Sequence, residues 1–329
     1  MPVLKLHEWE VAMADHRRAL DRLTGPTAMR SLKRAYDSAV AELEARLGRV
    51  LRGVGVASDS MTALQYRALL AQAKQGARIV AQRMAGETGE LSRQAAQESI
   101  RGLARTMTRL ESKYQGAAVT LPIEESAQFW GVVEGRATSV MRLHQTSMAR
   151  YGARRVAQIE EALGLSLATG ESGVDAVDRV VGVMGGAEWE AERIARSETA
   201  WAYSAVAADG IKVASEELPD LMMRWSEHAD DSSGAPLDDR TSVDSLALHG
   251  QVAPPGGRFT QPATSPVPDA EGKTKVPKGL VDETFEFPPS RPNCRAALQP
   301  WRPHWGIPGW MWRGGRRVPV RAPRAESED

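Results

Sequence analysis

The chain has 329 residues, 42% of them hydrophobic and 5% aromatic, so it can bury the core of more than one domain with mainly aliphatic side chains. Basic and acidic residues balance at 42 each, so net charge favours neither nucleic acid nor an acidic substrate as a ligand. The single cysteine, Cys294, excludes an internal disulfide scaffold and a cysteine-only zinc site within one chain. The first residues lack a signal-peptide pattern and no apolar run could span a bilayer, so we expect a cytoplasmic protein without a membrane partner.

Apolar residues recur at three- and four-residue steps through the first two hundred positions, which is typical of amphipathic helices. The first stripe ends at Gly25-Pro26 and the second at Gly53 and Gly55. The pattern predicts a helical bundle or elongated helical hairpins rather than a long coiled coil, with some stripes as alternative binding faces for partner subunits. The four stripes contain Leu6, Trp9, Met13, Leu20 and Leu23; Met29, Leu32, Tyr36, Val40, Leu43, Leu47 and Val50; Tyr66, Leu70, Ala73, Ala77, Val80 and Met84; and Ala96, Ile100, Leu103, Met107, Leu110 and Tyr114.

Proline and glycine residues mark the predicted helix ends in the next segment. Thr120-Leu121-Pro122 predicts a helix start, because proline suits the first helical turn. This helix is expected to continue past Tyr151 with a bend at Gly152. A last long helix is predicted over about residues 187–217. Two glycine clusters separate these helices, at residues 170–173 and 185–186.

Composition changes after Pro219. The alternation from Leu221 to Ser226 predicts a strand with one apolar face. Residues 238–250 are expected to form a short helix with Gly250 as its left-handed exit. A turn follows at residues 254–257, flanked by Val252 and Phe259.

The predicted module ends in a loop and a strand. Residues 260–282 lack apolar periodicity and predict an exposed, mobile loop. Ala297-Leu298 is expected to close the small sheet. The fold class predicted is mainly α with a small α+β C-terminal module, namely long helical hairpins or a bundle followed by a compact small-sheet domain.

Several short motifs resemble, in their order, the head-morphogenesis (minor head protein) family of tailed phages, typified by the F protein of phage Mu. The resemblance covers roughly residues 163–300. Its residues are Arg196 and Glu198 in a helix, Trp225 in a strand, Asp239 and Arg240, His249 and Gly250 at a helix end, and Pro289, Cys294 and Arg295 in the closing segment.

The resemblance implies a non-enzymatic structural protein of a phage or prophage. It would dock to the portal and to capsid or scaffold proteins, and assist head assembly and DNA packaging or delivery. Its location would be the virion head, after assembly in the host cytoplasm. The implied domains are a helical body at 1–160, a head-morphogenesis domain at 161–305 and a basic, disordered tail at 306–329.

No cofactor or metal is expected. Many relatives carry Cys-x-x-Cys in the short helix and Cys-Arg-Cys at the end, where this chain has Ser242, Ser245 and Ala296. The alternative is a metal-dependent hydrolase or nuclease that uses a cluster of histidines and aspartates, but this set suits turn and helix-cap chemistry better. A secreted effector is a further alternative, although no segment resembles an added toxic domain. The cluster comprises His228, Asp230, Asp231, Asp238, Asp239, Asp244 and His249.

The sequence predicts a specific role for three of the motif residues. Glu198 lies on or beside an apolar stripe, so it is expected either to clamp the C-terminal module through Arg240 or backbone amides, or to face water. Cys294 stands near arginines that could lower its pKa, but a packed role in the closing turn is favoured. Arg196 is expected to pair with Glu192 one turn earlier.

The C-terminal tail interleaves tryptophans with arginines. This composition favours contact with a partner protein first, packing against the module second and DNA third, because Trp and Arg are enriched at binding hot spots. The residues concerned are Trp310, Trp312, Arg313, Arg316, Arg317, Arg321 and Arg324.

Overall fold

The computed structural model describes residues 6–54, 61–115, 127–227, 246–261, 267–268, 274–275, 283–290, 294–305, 307–313 and 316–320, with only the backbone at some of these positions. The helices in these ranges are α1 (Leu6–Thr24), α2 (Pro26–Val54), α3 (Ala63–Gln115), α4 (Ala127–Thr169), α5 (Gly173–Gly185) and α6 (Glu188–Ala214). They begin and end close to the predicted breaks at Gly25-Pro26, at residues 170–173 and at residues 185–186.

Short antiparallel strands follow the helices. The strands are β1 (Met222–Ser226), β2 (Val252–Ala253), β3 (Phe259–Gln261), β4 (Val267–Pro268), β5 (Thr274–Lys275), β6 (Glu283–Phe285), β7 (Ala297–Trp301), β8 (Trp310–Arg313) and β9 (Arg316–Pro319). One sheet has the order β2-β1-β7, and the other strands pair as β3-β6, β4-β5 and β8-β9. The predicted fold class, mainly α with a small α+β module, is confirmed.

Two compact units divide the chain. The sheet unit contains residues 1–24, 92–138 and 199–329, and the helical unit contains residues 25–91 and 139–198. Helices α3, α4 and α6 therefore contribute residues to both units. The domain boundaries predicted at 160 and 305 follow a different division of the chain and stay a prediction.

The core of the helical unit contains the predicted stripe of α2. Leu43 and Leu47 are fully buried in it, together with residues of α3, α4 and α5. The Tyr36 hydroxyl donates a hydrogen bond to the Met184 carbonyl, and the Tyr151 hydroxyl donates to Tyr36 at 3.1 Å. At Gly152, where a bend was expected, α4 continues, and a Cβ there would lie 2.8 Å from Ala81 Cβ. Glycine permits this close helix packing.

The third and fourth apolar stripes of the sequence lie on one continuous helix, α3. The buried positions that connect them are small or polar: Thr88, Ser92, Ala95 and Ser99. Because Leu91 is the one large apolar residue between Met84 and Ala96, the hydrophobic pattern weakens there although the helix continues.

The apolar face predicted for strand β1 from Leu221, Met223 and Trp225 is confirmed, and the polar face is buried as well. Arg224 is 1% exposed and Ser226 is fully buried. The Arg224 guanidinium is accommodated because Nε donates to the Pro308 carbonyl at 3.2 Å and Nη1 donates to Gln299 Oε1 at 3.4 Å. Arg17, which lies in α1, donates a hydrogen bond to the Ser226 hydroxyl. These partners come from distant positions in the chain and satisfy the polar face of the strand.

The turns of the module agree with the predicted glycine positions. Gly250 has φ +77° and Gly256 has φ +73°. The Gly257 amide donates to the Pro254 carbonyl at 2.8 Å, which closes the predicted turn at 254–257. The predicted helix start at 120–122 and most of the predicted helix at 238–250 lie outside the described residues.

The structure describes strands in two segments of the C-terminal third where the sequence predicted none. Within the predicted loop at 260–282, Thr260 and Gln261 belong to β3, and β4 pairs with β5. The tail was expected to be disordered, yet β8 and β9 form an antiparallel hairpin. The predicted closing strand is confirmed as β7 and extends to Trp301, pairing with β1 along its whole length.

Candidate functional site

A buried carboxyl group, that of Glu227, lies directly after β1. Glu227 is 2% exposed. Its Oε1 accepts a hydrogen bond from Trp225 Nε1 at 2.7 Å and lies 3.8 Å from Cys294 Sγ. The backbone amide of Glu227 donates to His249 Nδ1 at 3.2 Å. We call Trp225, Glu227, His249 and Cys294 the Glu227 cluster.

Several residues that carry the family resemblance therefore meet at this cluster. Trp225, His249 and Cys294 touch Glu227, an acidic residue that no sequence motif marks. His249 Nδ1 accepts a hydrogen bond, so this ring nitrogen carries no proton. Gly250, the next residue, donates its amide to the Trp225 carbonyl at 2.9 Å. The cluster thus ties the closing segment and the 249–250 corner to the central strand.

Burial raises the pKa of both acidic groups of the cluster. Burial raises the pKa of Glu227 to about 7, although the hydrogen bonds from Trp225 and Cys294 and the charges of Arg17 and Arg295 oppose the rise. Burial, and then the neighbouring Glu227, raise the pKa of the Cys294 thiol to about 11. The lowered pKa considered for Cys294 is therefore wrong, and its packing against the core agrees with the favoured alternative. Cys294 is partly buried, and a neutral thiol is a poor nucleophile.

Gly250 is required by two constraints at once. Its positive φ is strained for residues with a side chain. A Cβ at this position would also lie 3.2 Å from Trp310 Nε1. Trp310 Nε1 itself donates to the His249 carbonyl at 2.9 Å, so Trp310 covers this corner of the sheet unit.

A second buried carboxylate, Glu111 of α3, binds the segment after β7. Glu111 is 1% exposed, and its Oε1 accepts from Arg302 Nη1 at 2.5 Å and from Trp305 Nε1 at 3.0 Å. His304 Nε2 lies 3.9 Å from the same oxygen, and Arg302 Nε donates to Asp220 Oδ1 at 2.6 Å. Burial alone would raise the pKa of Glu111, but the facing His304, Arg302 and Trp305 lower it to about 2.

The helical motif residues occupy α6. The Ser147 hydroxyl donates to Glu198 Oε1 at 2.9 Å, so Glu198 is partly buried with a partner from α4. The predicted Arg196–Glu192 pair is confirmed, with Nη2 3.3 Å from Oε1. Arg240 lies outside the described residues, so the predicted clamp between Glu198 and Arg240 stays a prediction.

The remaining predicted positions are Pro289 and the histidine and aspartate cluster. Pro289 follows a cis peptide bond after Pro288. In the ranges that the structure describes, no group of three or more His, Cys, Asp or Glu side chains is arranged to hold a metal ion. Of the histidine and aspartate cluster only His249 is described; His228, Asp230, Asp231, Asp238, Asp239 and Asp244 lie outside.

The tail hairpin has one face against the module, and Arg313 and Arg317 are exposed. The Arg317 guanidinium stacks 4.5 Å from the Trp310 ring and donates to the Ala247 carbonyl at 3.2 Å. Packing against the module is thus observed for Trp310. Arg313 is exposed in β8. The side chains of Trp312 and Arg316, and all of Arg321 and Arg324, lie outside the description.

Comparisons with known proteins identify no relative. No protein-family model matches the chain, and no match was found among the curated proteins or the solved structures. Among the described helices, none has the length and apolar character needed to cross a membrane.

Proposed function

We propose that the chain is a minor head (head-morphogenesis) protein of a tailed phage or prophage that docks to the portal and to capsid or scaffold proteins. Its role would be to assist head assembly and DNA packaging or delivery. The proposal starts from the ordered motifs of the sequence and assigns them a packing and docking role rather than a catalytic one.

The observation that carries the proposal is the convergence of Trp225, His249 and Cys294 on buried Glu227. These residues come from separate parts of the sequence, and their meeting in a core supports a module that keeps one shape. In this arrangement the chemically reactive groups are withdrawn from solvent, with Glu227 2% and His249 8% exposed. Such a module suits non-covalent docking.

The tail hairpin supplies the docking contact in this proposal. The stack of Arg317 on Trp310 fixes the base of the hairpin, while Arg313 is exposed. An arginine held beside an aromatic ring is a common centre of protein interfaces. We therefore assign first contact with the portal or capsid to this hairpin, and contact with DNA is its alternative.

The test is binding of the purified chain to purified portal, capsid and scaffold proteins of the same phage or prophage. Arg313→Glu with Arg317→Glu is expected to weaken binding at least tenfold, which corresponds to about 1.4 kcal/mol. Arg258→Glu is the control, because Arg258 is also an exposed arginine of the sheet unit, paired with Glu286 at 3.4 Å. Equal loss in both variants, or no binding by the native chain, would contradict the assignment.

The alternative function, a metal-dependent hydrolase or nuclease, is tested at the histidine and aspartate cluster. Divalent-metal-dependent cleavage of DNA by the purified chain, abolished by His249→Ala, would favour it over docking. His249→Ala also removes the acceptor for the Glu227 amide, so a thermal melt must show that the variant is folded at the assay temperature.

A further inference from the structure

The helical unit carries an open groove between α2 and α5 that no interaction described above uses. Its volume is about 520 Å³, and it is lined by small or apolar residues with charges at its rim. Residues 41–52 of α2 form its floor, so at 1.5 Å per residue it is about 16 Å long, or three helical turns. Its principal residues are Ala41, Glu44, Ala45, Gly48, Arg49 and Val174.

The groove exposes side chains that normally avoid water. Val174 at its edge is 52% exposed, and Ala41 and Ala45 are exposed along its floor. The solvent face of a surface helix is usually charged or polar. Alanine and glycine at neighbouring turns leave room for another helix to approach closely, near the short end of the usual 8–10 Å between helix axes.

The spacing of the floor matches a short coiled-coil seam. Ala41, Ala45 and Gly48 are separated by four and three residues, and Arg52 follows four residues later. In heptad terms these are positions d, a, d and a, which place Glu44 at g and Arg49 at the following e. In a parallel pair of helices, a g residue of one helix faces the following e residue of the other.

The charges at these two positions are opposite. Glu44 and Arg49 carry no ion pair with another residue of the described ranges. A second copy of α2, laid parallel to the first, would bring each Glu44 to Arg49 of the second copy, and the two-fold axis would repeat the contact. The complementarity lies within one helix, which favours a second copy over an unrelated partner as the occupant.

We propose that this groove is a self-association surface, in which α2 pairs with α2 of a second copy in parallel through the seam from Ala41 to Arg52. Three turns make a small interface, below the roughly 1,200 Å² of standard complexes, so the dimer is weak and forms at high local concentration. The inference does not depend on the proposed role in phage heads.

Cysteine cross-linking tests the pairing directly. Position 45 is an a position, so a parallel two-fold pair brings both Cβ atoms near the roughly 4 Å separation of a disulfide. Ala45→Cys is expected to give a covalent dimer under mild oxidation. Ala157→Cys is the matched control, since Ala157 is an exposed alanine of α4 in the same unit, and Cys294 is present in both variants. Equal cross-linking of the two variants overturns the proposal.

Charge exchange in the Ala45→Cys background then tests the register. Glu44→Arg or Arg49→Glu alone should reduce the cross-linked fraction several-fold, because each places like charges together. The double exchange, Glu44→Arg with Arg49→Glu, should restore it. If the single exchanges leave the yield unchanged, the parallel pairing is wrong. If the groove serves another protein's helix, the purified chain stays monomeric in sedimentation even at its highest soluble concentration, which also overturns the proposal.

Discussion

Glu111 and Arg302 are 191 residues apart in sequence and form a buried ion pair in the sheet unit, with 2.5 Å between Oε1 and Nη1. The pair joins α3 to the segment that follows β7. It is the type of carboxylate–arginine clamp that was predicted for Glu198 and Arg240, but at different residues. Arg302 also holds Asp220 at 2.6 Å, so one guanidinium connects three parts of the chain.

Glu111→Gln is expected to destabilise the protein by about 3 kcal/mol near neutral pH, because removal of one partner leaves a buried guanidinium with one carboxylate fewer. Denaturant unfolding measures the change. Glu98→Gln on the same helix is the control, since Glu98 pairs with Arg101 at 3.6 Å in a partly exposed position, where a loss below about 1 kcal/mol is expected.

The same pair predicts acid sensitivity. The pKa of Glu111 is lowered to about 2 from its ordinary 4.5, so its stabilisation is complete above pH 4.5 and is lost as the pH falls toward 2. The difference in unfolding free energy between the native chain and Glu111→Gln should therefore shrink between these pH values. A difference that is independent of pH would contradict the assigned charge on Glu111.

Glu227→Gln is expected to stabilise the protein in mildly alkaline solution. The pKa of Glu227 is raised from 4.5 to about 7, so folding is favoured by the protonated form below pH 4.5 and this advantage is lost as the pH rises through 7. Glutamine resembles the protonated acid and can still accept from Trp225. At about pH 8 the gain should approach 3 kcal/mol, since 2.5 pKa units correspond to about that free energy.

The pH dependence of the melting temperature measures this effect. Glu283→Gln in β6 is the control, because Glu283 is exposed and should leave the profile of the native chain unchanged. If Glu227→Gln destabilises the protein at every pH, the buried carboxylate must be held by charges that the cluster does not contain.

Gly250→Ala should cost more stability than Gly256→Ala. Both glycines have positive φ, at +77° and +73°, so both substitutions strain the backbone by about 1 kcal/mol. At Gly250 the added Cβ also meets Trp310 Nε1 at 3.2 Å, whereas nothing lies within 4 Å at Gly256. Chemical denaturation of the two variants compares them, and equal losses would show that Trp310 does not constrain the corner.

Tyr36→Phe is expected to destabilise the helical unit by about 1–2 kcal/mol, because the Met184 carbonyl and the Tyr151 hydroxyl lose a buried partner. A double-mutant cycle with Tyr151→Phe should show coupling between the two hydroxyls. Tyr66→Phe is the control at a partly buried tyrosine of α3. Additive losses from Tyr36→Phe and Tyr151→Phe would rule out the hydroxyl chain.

Much of the helical unit was predictable because its signals are local. The seven-residue stripe from Met29 to Val50 lies between Gly25-Pro26 and Gly53, and α2 occupies that interval. Helix α3 was harder, since its buried centre contains Thr88, Ser92 and Ser99 instead of large apolar residues. Hydrophobic periodicity detects the size of the side chains as much as the helix itself.

The candidate site was less predictable because its partners are distant. Glu227 is a single acidic residue after a strand, and nothing near it shows that Trp225 and Cys294 enclose it. The burial of Arg224 was not predictable because its acceptors, Gln299 and the Pro308 carbonyl, lie 75 and 84 residues later. Burial of charge depends on such tertiary partners, which local spacing does not encode.

The measurement that tests the central claim most directly is quantitative mass spectrometry of purified phage particles from cells that express this chain. If the chain is a minor head protein, it is present in every particle preparation. Its copy number is then far below that of the major capsid protein and in a constant ratio to the portal. Particles that assemble and package DNA from the same cells without containing the chain would contradict the account.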